Sequence, residues 1–164
     1  PSLVDNLALT LFVQPSDAAQ GQSTEWSAKY TGVEGLEVGY AGGENKDSLT
    51  NTIDNTIVYA KYTYDAFTLG IQDNSGDQQT ANADTDFRAY GVSYAVSDEL
   101  SVSFNASTTE HENTSLIDQD ATGVSFSYVS GGMTIGGSAH SVDNVAGTAS
   151  VDNSGYELNV TFAF

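Results

Sequence analysis

The stretch YELNVTFAF, Tyr156 to Phe164, alternates without exception. Tyr156, Leu158, Val160, Phe162 and Phe164 share one face of an extended chain, while Glu157, Asn159, Thr161 and Ala163 share the other. A helix would scatter both sets around its circumference, so the pattern predicts a β-strand with one apolar side. The same period recurs upstream. It puts Leu7, Leu9, Leu11 and Val13 on one face of a first segment, Trp26, Ala28 and Tyr30 on a second, and Leu36, Val38 and Tyr40 on a third. Val58 to Tyr64 then pairs with Phe67 to Ile71, Tyr90 to Tyr94 with Leu100 to Phe104, and Val124 to Tyr128 with Met133 to Ala139. About ten strand-sized segments result, and their other faces carry mostly Gly, Ser, Thr, Asn and Gln.

The connections alternate in length. Short ones lie at Thr31 to Gly35, Asp65 and Ala66, Val96 to Glu99, and Ser130 to Gly132. Between them come long polar ones: Pro15 to Ser23, Glu44 to Asn55, Asp73 to Asp86, Thr108 to Asp120 and Ser141 to Ser154. In an up-and-down meander every second connection emerges at the same end, so this rhythm predicts long loops on one rim and tight turns on the other. No helical period intervenes, and residues 1–164 read as a single domain.

Composition narrows the function classes. Four Lys plus Arg against 22 Asp plus Glu give a net charge of −18 among 164 residues, which excludes a nucleic-acid binder because phosphates demand cations. The absence of Cys removes disulfide scaffolds, thiolate metal sites and a cysteine nucleophile. No apolar run reaches the roughly 18 residues of a spanning helix, but closed barrels cross bilayers with strands of weak hydropathy.

The apolar face decides between a core and a lipid environment. Its aromatics gather near strand ends, with Trp26, Tyr40, Tyr90 and Tyr156 toward the long loops. Tyr30, Tyr64, Phe67, Tyr94, Tyr128, Phe162 and Phe164 lie toward the tight turns. Two aromatic belts around aliphatic middles fit the two interfaces of a bilayer. The fold expected is therefore all-β, an antiparallel up-and-down transmembrane β-barrel. A secreted acidic β-sandwich adhesin or a lipocalin-like barrel is the soluble alternative.

Two stretches carry a family resemblance. Gly155 to Phe164 resembles the terminal strand of Gram-negative outer-membrane proteins, and YGVSYAVSDELSVSFNAS, Tyr90 to Ser107, is similar to the strand, Ser-Asp turn and strand hairpins of general bacterial porins. The resemblance implies an outer-membrane channel, commonly a homotrimer, for passive diffusion of ions and small hydrophilic solutes, without a catalytic residue or cofactor. It implies lipid and lipopolysaccharide as neighbours. It also gives Tyr156, Leu158, Val160, Phe162 and Phe164 the role of a carboxy-terminal signal for the barrel assembly machinery. Porin barrels have about sixteen strands, and Val4-Asp5-Asn6-Leu7 repeats the acidic turn Ser97-Asp98-Glu99-Leu100. A turn needs a strand before it. We therefore expect Pro1 to Leu3 to be the tail of an earlier strand and the ten strands to be the carboxy-terminal part of a larger barrel. The alternative is a complete ten-stranded barrel acting as an adhesin or an omptin-like protease.

The candidate chemistry is sparse. Glu25, Lys29, Glu37 and Lys61 fall on polar faces and are expected to line the pore, where the acidic balance predicts a preference for cations. Arg88 has the parity of outward Tyr90 and either snorkels to head-group phosphates or is turned inward by a bulge. Asp73, Asp77, Asp84 and Asp86 crowd one predicted loop, and Glu110, Glu112, Asp118 and Asp120 another. Oxygen ligands there suit loosely bound Ca²⁺ or Mg²⁺, though no loop has the spacing of a dedicated calcium site, so solvated acidic loops are the expectation. His140 followed by Asp143 is the one pair that raises water activation by a protease; neither His140 nor His111 sits beside a nucleophile motif.

Overall fold

The computed structural model describes residues 4–16, 21–46 and 52–163. Ten strands form one antiparallel sheet in strict sequence order. They are β1 (Leu7–Gln14), β2 (Ser23–Val33), β3 (Leu36–Lys46), β4 (Thr52–Tyr64) and β5 (Phe67–Gln78). They continue as β6 (Thr85–Ala95), β7 (Leu100–His111), β8 (Gln119–Ser130), β9 (Met133–Asp143) and β10 (Asn153–Phe162). The only helical element among the described residues is a 3₁₀ turn at Val145–Gly147.

Register confirms the period read from sequence. Tyr30 opposes Val38, Val38 opposes Ala60, Ala60 opposes Ile71 and Ile71 opposes Tyr90, so apolar residues stack row by row on one face. Tyr94 opposes Val102 and Val92 opposes Phe104, while Tyr128 opposes Ile135 and Val160 shares that row through Ile135. A bulge between Tyr30 and Val33 is the one register shift among the described residues. Edge contacts join Trp26 to Tyr40, with ring centroids 5.0 Å apart, and Phe67 stacks on Tyr94 at 4.5 Å.

The tight turns have the chemistry that short connections need. Gly35 takes φ 74°, and a Cβ there would collide with the Thr63 carbonyl whose residue donates its own N–H to Gly35 O at 2.8 Å. In the acidic turn Ser97 to Leu100, the N–H groups of Glu99 and Leu100 donate to Ser97 Oγ at 3.2 and 3.1 Å. Its counterpart at Val4 to Leu7 closes through Leu7 N–H to Val4 O at 3.3 Å, with Asn6 at φ 62°. Pro1 to Leu3 and Phe164, which entered the expectations above, lie outside the described residues.

Strands run farther than the apolar alternation does. Asp73, Asp77 and Asp86, expected in a loop, are on β5 and β6, and Glu110 and Asp120 are on β7 and β8. The connection expected from Glu44 to Asn55 likewise shrinks, because β3 reaches Lys46 and β4 begins at Thr52. The physical reason is that a hydrogen-bonded ladder continues into water, where side-chain pattern no longer reports it.

No hydrophobic side chain among the described residues is buried, whereas Leu11, Leu158 and Tyr156 are 70, 68 and 89% exposed. A soluble sandwich buries an apolar face between two layers, so that alternative fails. At about 25 cal/mol per Å², a continuous apolar face left in water would be strongly unfavourable; the face requires an apolar surrounding. The sheet is open: β1 pairs with β2 and β10 with β9, and among the described residues no ladder joins the two edges. A closed ten-stranded barrel is therefore not what these strands form by themselves.

Candidate functional site

The polar face divides into two sectors. On β2 to β4 it is charged. Glu37 lies at the centre, with its two carboxylate oxygens each 3.7 Å from a lysine, Lys29 Nζ on Oε2 and Lys61 Nζ on Oε1. Lys61 stands directly across the ladder from Glu37, and the Tyr59 hydroxyl donates to Glu37 Oε1 at 3.1 Å. Tyr59 reaches it because Gly39, opposite in register, has no side chain where the tyrosine ring lies. Half-exposed pairs of this kind contribute roughly 0–1 kcal/mol each to stability. Their consequence is electrostatic, since two cations surround one anion and the cluster is locally positive.

Glu25, four residues before Lys29 on the same face of β2, belongs to a different setting. It faces Phe12 across β1 and Gly43 across β3, and no ion pair engages it among the described residues. All four residues expected on the pore wall, Glu25, Lys29, Glu37 and Lys61, thus share the polar face. Only Lys29, Glu37 and Lys61 form a cluster. Tyr59 was not foreseen as part of it, although its odd number, shared with Lys61, puts it on that face. Glu157 also has polar-face parity, opposite Ser138.

On β5 to β9 the polar face carries no carboxylate, lysine or arginine. Ser103 and Ser125 oppose each other and share a hydrogen bond at 2.7 Å. Asn105, Gly123, His140 and Gly155 form one cross-strand row. Ser103, Ser125, Asn105 and His140, together with Phe87, line a groove of about 510 Å³.

Most of the acid lies elsewhere. Glu44 opposes Asp54, which opposes Asp77, and Asp86 opposes Glu110 while Asp120 opposes Asp143, all with the parity of the apolar face and toward the long-loop end. Arg88 stays on that face, and its Nε donates to Asp73 Oδ2 at 2.8 Å directly across the ladder. No bulge turns it inward. Carboxylates near the long-loop end are used within the chain: Asp84 Oδ1 accepts from Gln78 N–H at 2.6 Å, and Asp120 Oδ1, on β8, accepts from the Thr108 hydroxyl at 2.6 Å. No group of three His, Asp or Glu side chains among the described residues is placed to hold a metal.

The suspected His-Asp pair does not form. Three residues apart on one strand, His140 and Asp143 face opposite sides; His140 opposes Gly155 and Asp143 opposes Asp120. His111 instead sits under the 3₁₀ turn, where its Nε2 is buried without a hydrogen-bond partner and a Cβ on Gly147 would come within 3.1 Å of it.

The aromatics Trp26, Tyr40, Tyr90, Tyr94, Tyr128, Tyr156 and Phe162 are all exposed on the apolar face. Leu158 and Val160 lie on it between Tyr156 and Phe162, each exposed.

Solved structures share this architecture. An anion-selective porin from Comamonas acidovorans superposes with a TM-score of 0.74 at 12% identity, over 95% of this chain and 59% of that one. OmpT, an outer-membrane protein of Vibrio cholerae, superposes in its in-vitro folded form with a TM-score of 0.62 at 14% identity, over 94% of this chain and 63% of that one. Its trimer form gives 0.56 at 15% identity, over 93% and 62%. The chain thus spans about three fifths of the length of these proteins. No curated protein matches it in sequence. The sequence model for Gram-negative porins matches residues 5–164, and with the open ten-stranded sheet, the lipid-suited face and the polar wall in place, the chain belongs to the Gram-negative porin family of the outer membrane.

Proposed function

We propose that the polar face is the wall of a water-filled channel for passive diffusion of ions and small hydrophilic solutes, with a weak preference for cations and no enzymatic activity. The observation that carries this reading is the separation of faces: Glu25, Lys29, Glu37 and Lys61 on one side, and on the other an apolar side with no buried hydrophobic side chain among the described residues. Charges on the first face cost little only if water covers them.

The preference for cations is weak because few of the 22 acidic residues face the channel. Glu25, Glu37 and Glu157 stand against Lys29 and Lys61 on the wall. The Comamonas relative is named anion-selective, and at 12% identity its wall charges need not be those of this chain. Trp26, Tyr40, Tyr90, Tyr94, Tyr128, Tyr156 and Phe162 serve as interface anchors. Open edges on β1 and β10 are not tolerated in lipid, which supports further strands closing the wall into a larger barrel. The trimer form recorded for the Vibrio protein supports a homotrimer. Lipid and lipopolysaccharide surround it, any Ca²⁺ or Mg²⁺ is held loosely at the acidic long-loop rim, and Tyr156, Leu158, Val160 and Phe162 present the strand that the barrel assembly machinery reads.

Planar bilayers decide the matter. The full protein is expected to give stepwise, ohmic conductance and a small reversal potential of cation-selective sign under a salt gradient. Anion preference refutes the charge argument, and absence of conductance refutes the channel.

A further inference from the structure

Apolar side chains interrupt the polar face at several positions, Phe87 among them, and two of these share a groove with a carboxylate. Phe12, 53% exposed, and Ile57 both have polar-face parity, Phe12 opposite Glu25 and Ile57 opposite Ala41. They line one groove of about 340 Å³ with Glu25, Asn45 and Asn55. Gly43 forms part of its floor, and a Cβ there would come within 2.9 Å of Glu25 Cγ, so the glutamate stem lies across the glycine. Asn45 is held in place by the Ser23 hydroxyl, which donates to its Oδ1 at 3.2 Å.

The contrast with Glu37 gives the groove its meaning. Glu37 is paired with both Lys29 and Lys61, whereas no cation engages Glu25 among the described residues. An anionic group beside an exposed aromatic ring and an aliphatic side chain, with two amides at the margin, offers one charge and two apolar surfaces. A small inorganic cation uses only the charge. A neutral sugar leaves the carboxylate unmatched. A primary ammonium on a short apolar body uses everything: the ammonium on Glu25 as a charge-assisted hydrogen bond, the body against Ile57 and the face of Phe12, where a cation also gains from the ring quadrupole.

We propose that this groove binds organic primary ammonium ions with a short apolar body, a substrate class for the channel wall that rests on the reading of the polar face as that wall. The probe is 2-phenylethylammonium, with sodium chloride and the neutral 2-phenylethanol as controls. In planar bilayers the full protein is expected to lose sodium conductance as the ammonium is added, and to lose none with the alcohol. Glu25→Gln and Phe12→Ser should each raise the half-blocking concentration by about fivefold. Equal block by the alcohol, or block unchanged by both substitutions, overturns the proposal while leaving the channel intact. If no channel opens, the channel reading fails, and calorimetric titration of the same probe into detergent-solubilised protein still decides the groove: saturable binding weakened in both variants supports it, and its absence overturns it.

Discussion

The two sectors of the polar face share one backbone geometry and differ in what they offer a solute. On β2 to β4, Glu37, Lys29, Lys61 and Tyr59 hold one another in a bonded cluster, and Gly39 leaves space for the Tyr59 ring. On β5 to β9, Ser103, Ser125, Asn105 and His140 present hydroxyl, amide and imidazole groups without a formal charge. Strand parity determines only that a residue faces the water. What it does there depends on neighbours on the adjacent strands, which tie the charged residues of β2 to β4 into ion pairs and leave uncharged polar groups on β5 to β9.

The comparison depends on the faces being as different as register makes them, and its strongest test uses two adjacent residues. Val92 is on the apolar face and Ser93 on the polar face of β6. An arginine at a lipid-facing position near the bilayer middle costs about 2–4 kcal/mol. Val92→Arg is therefore expected to lower stability in a reversible urea titration in lipid by that amount, and Ser93→Arg by less than about 1 kcal/mol. Similar losses at both positions would break the assignment of faces.

A second test sharpens the neutral sector at its long-loop end. Ile117 N–H donates to Gly147 O at 3.0 Å, and Ala146 N–H to Gln119 Oε1 at 2.9 Å, so the β9–β10 connection is tied to the β7–β8 connection. Gly147 has φ 71°, and a Cβ there would approach Leu116 Cβ at 2.8 Å. Gly147→Ala is expected to loosen this contact by about 1–3 kcal/mol. Limited proteolysis should then cut within residues 144–152 faster than in the parent protein, while conductance is retained. An unchanged cleavage rate would mean that the two connections are not coupled.

How far this was legible follows from the residues themselves. Period-2 alternation at Tyr156 to Phe162 and its upstream repeats is enough for strand order and for the apolar face, because each neighbour is local in sequence. The acidic turns were also readable, since Ser97 and its following N–H groups are adjacent. Strand ends were not: Asp73, Asp77 and Asp86 look like loop residues because hydrogen bonding outlasts the lipid. The separation of His140 from Asp143 was available in their odd spacing. The cluster around Glu37 was harder, as Tyr59 and Lys61 come from a strand whose register no local pattern specifies, and the polar-face Phe12 breaks the very rule used to find strands.

A third test acts on the charged sector alone. Replacing both Lys29 and Lys61 by alanine leaves Glu37 with the Tyr59 hydrogen bond and no cation. Unit charges about 4 Å apart interact by about 1 kcal/mol in water, so the cation-to-anion permeability ratio is expected to rise by at most about fivefold. A fall would show that another part of the wall sets the sign. Ser103→Ala and Ser125→Ala, in the neutral sector, should leave the ratio unchanged.

The smallest effect expected is at Arg88, and it separates total charge from wall charge. Its ion pair with Asp73, at 2.8 Å with both side chains about half exposed, lies on the apolar face rather than on the channel wall. Exposed pairs are worth about 0.2–1 kcal/mol, and Arg88→Ala should cost no more in the same urea titration. The substitution makes an already acidic protein more negative by one charge. If net charge set ion preference, the reversal potential would move toward cations as it does for the lysine variants. With Arg88 across the sheet from the water column, and with salt screening charges over about 8–10 Å, no movement is expected. A shift comparable to that of the lysine pair would mean that the acidic collar outside the wall governs entry, and that the division of the polar face into sectors is secondary to it.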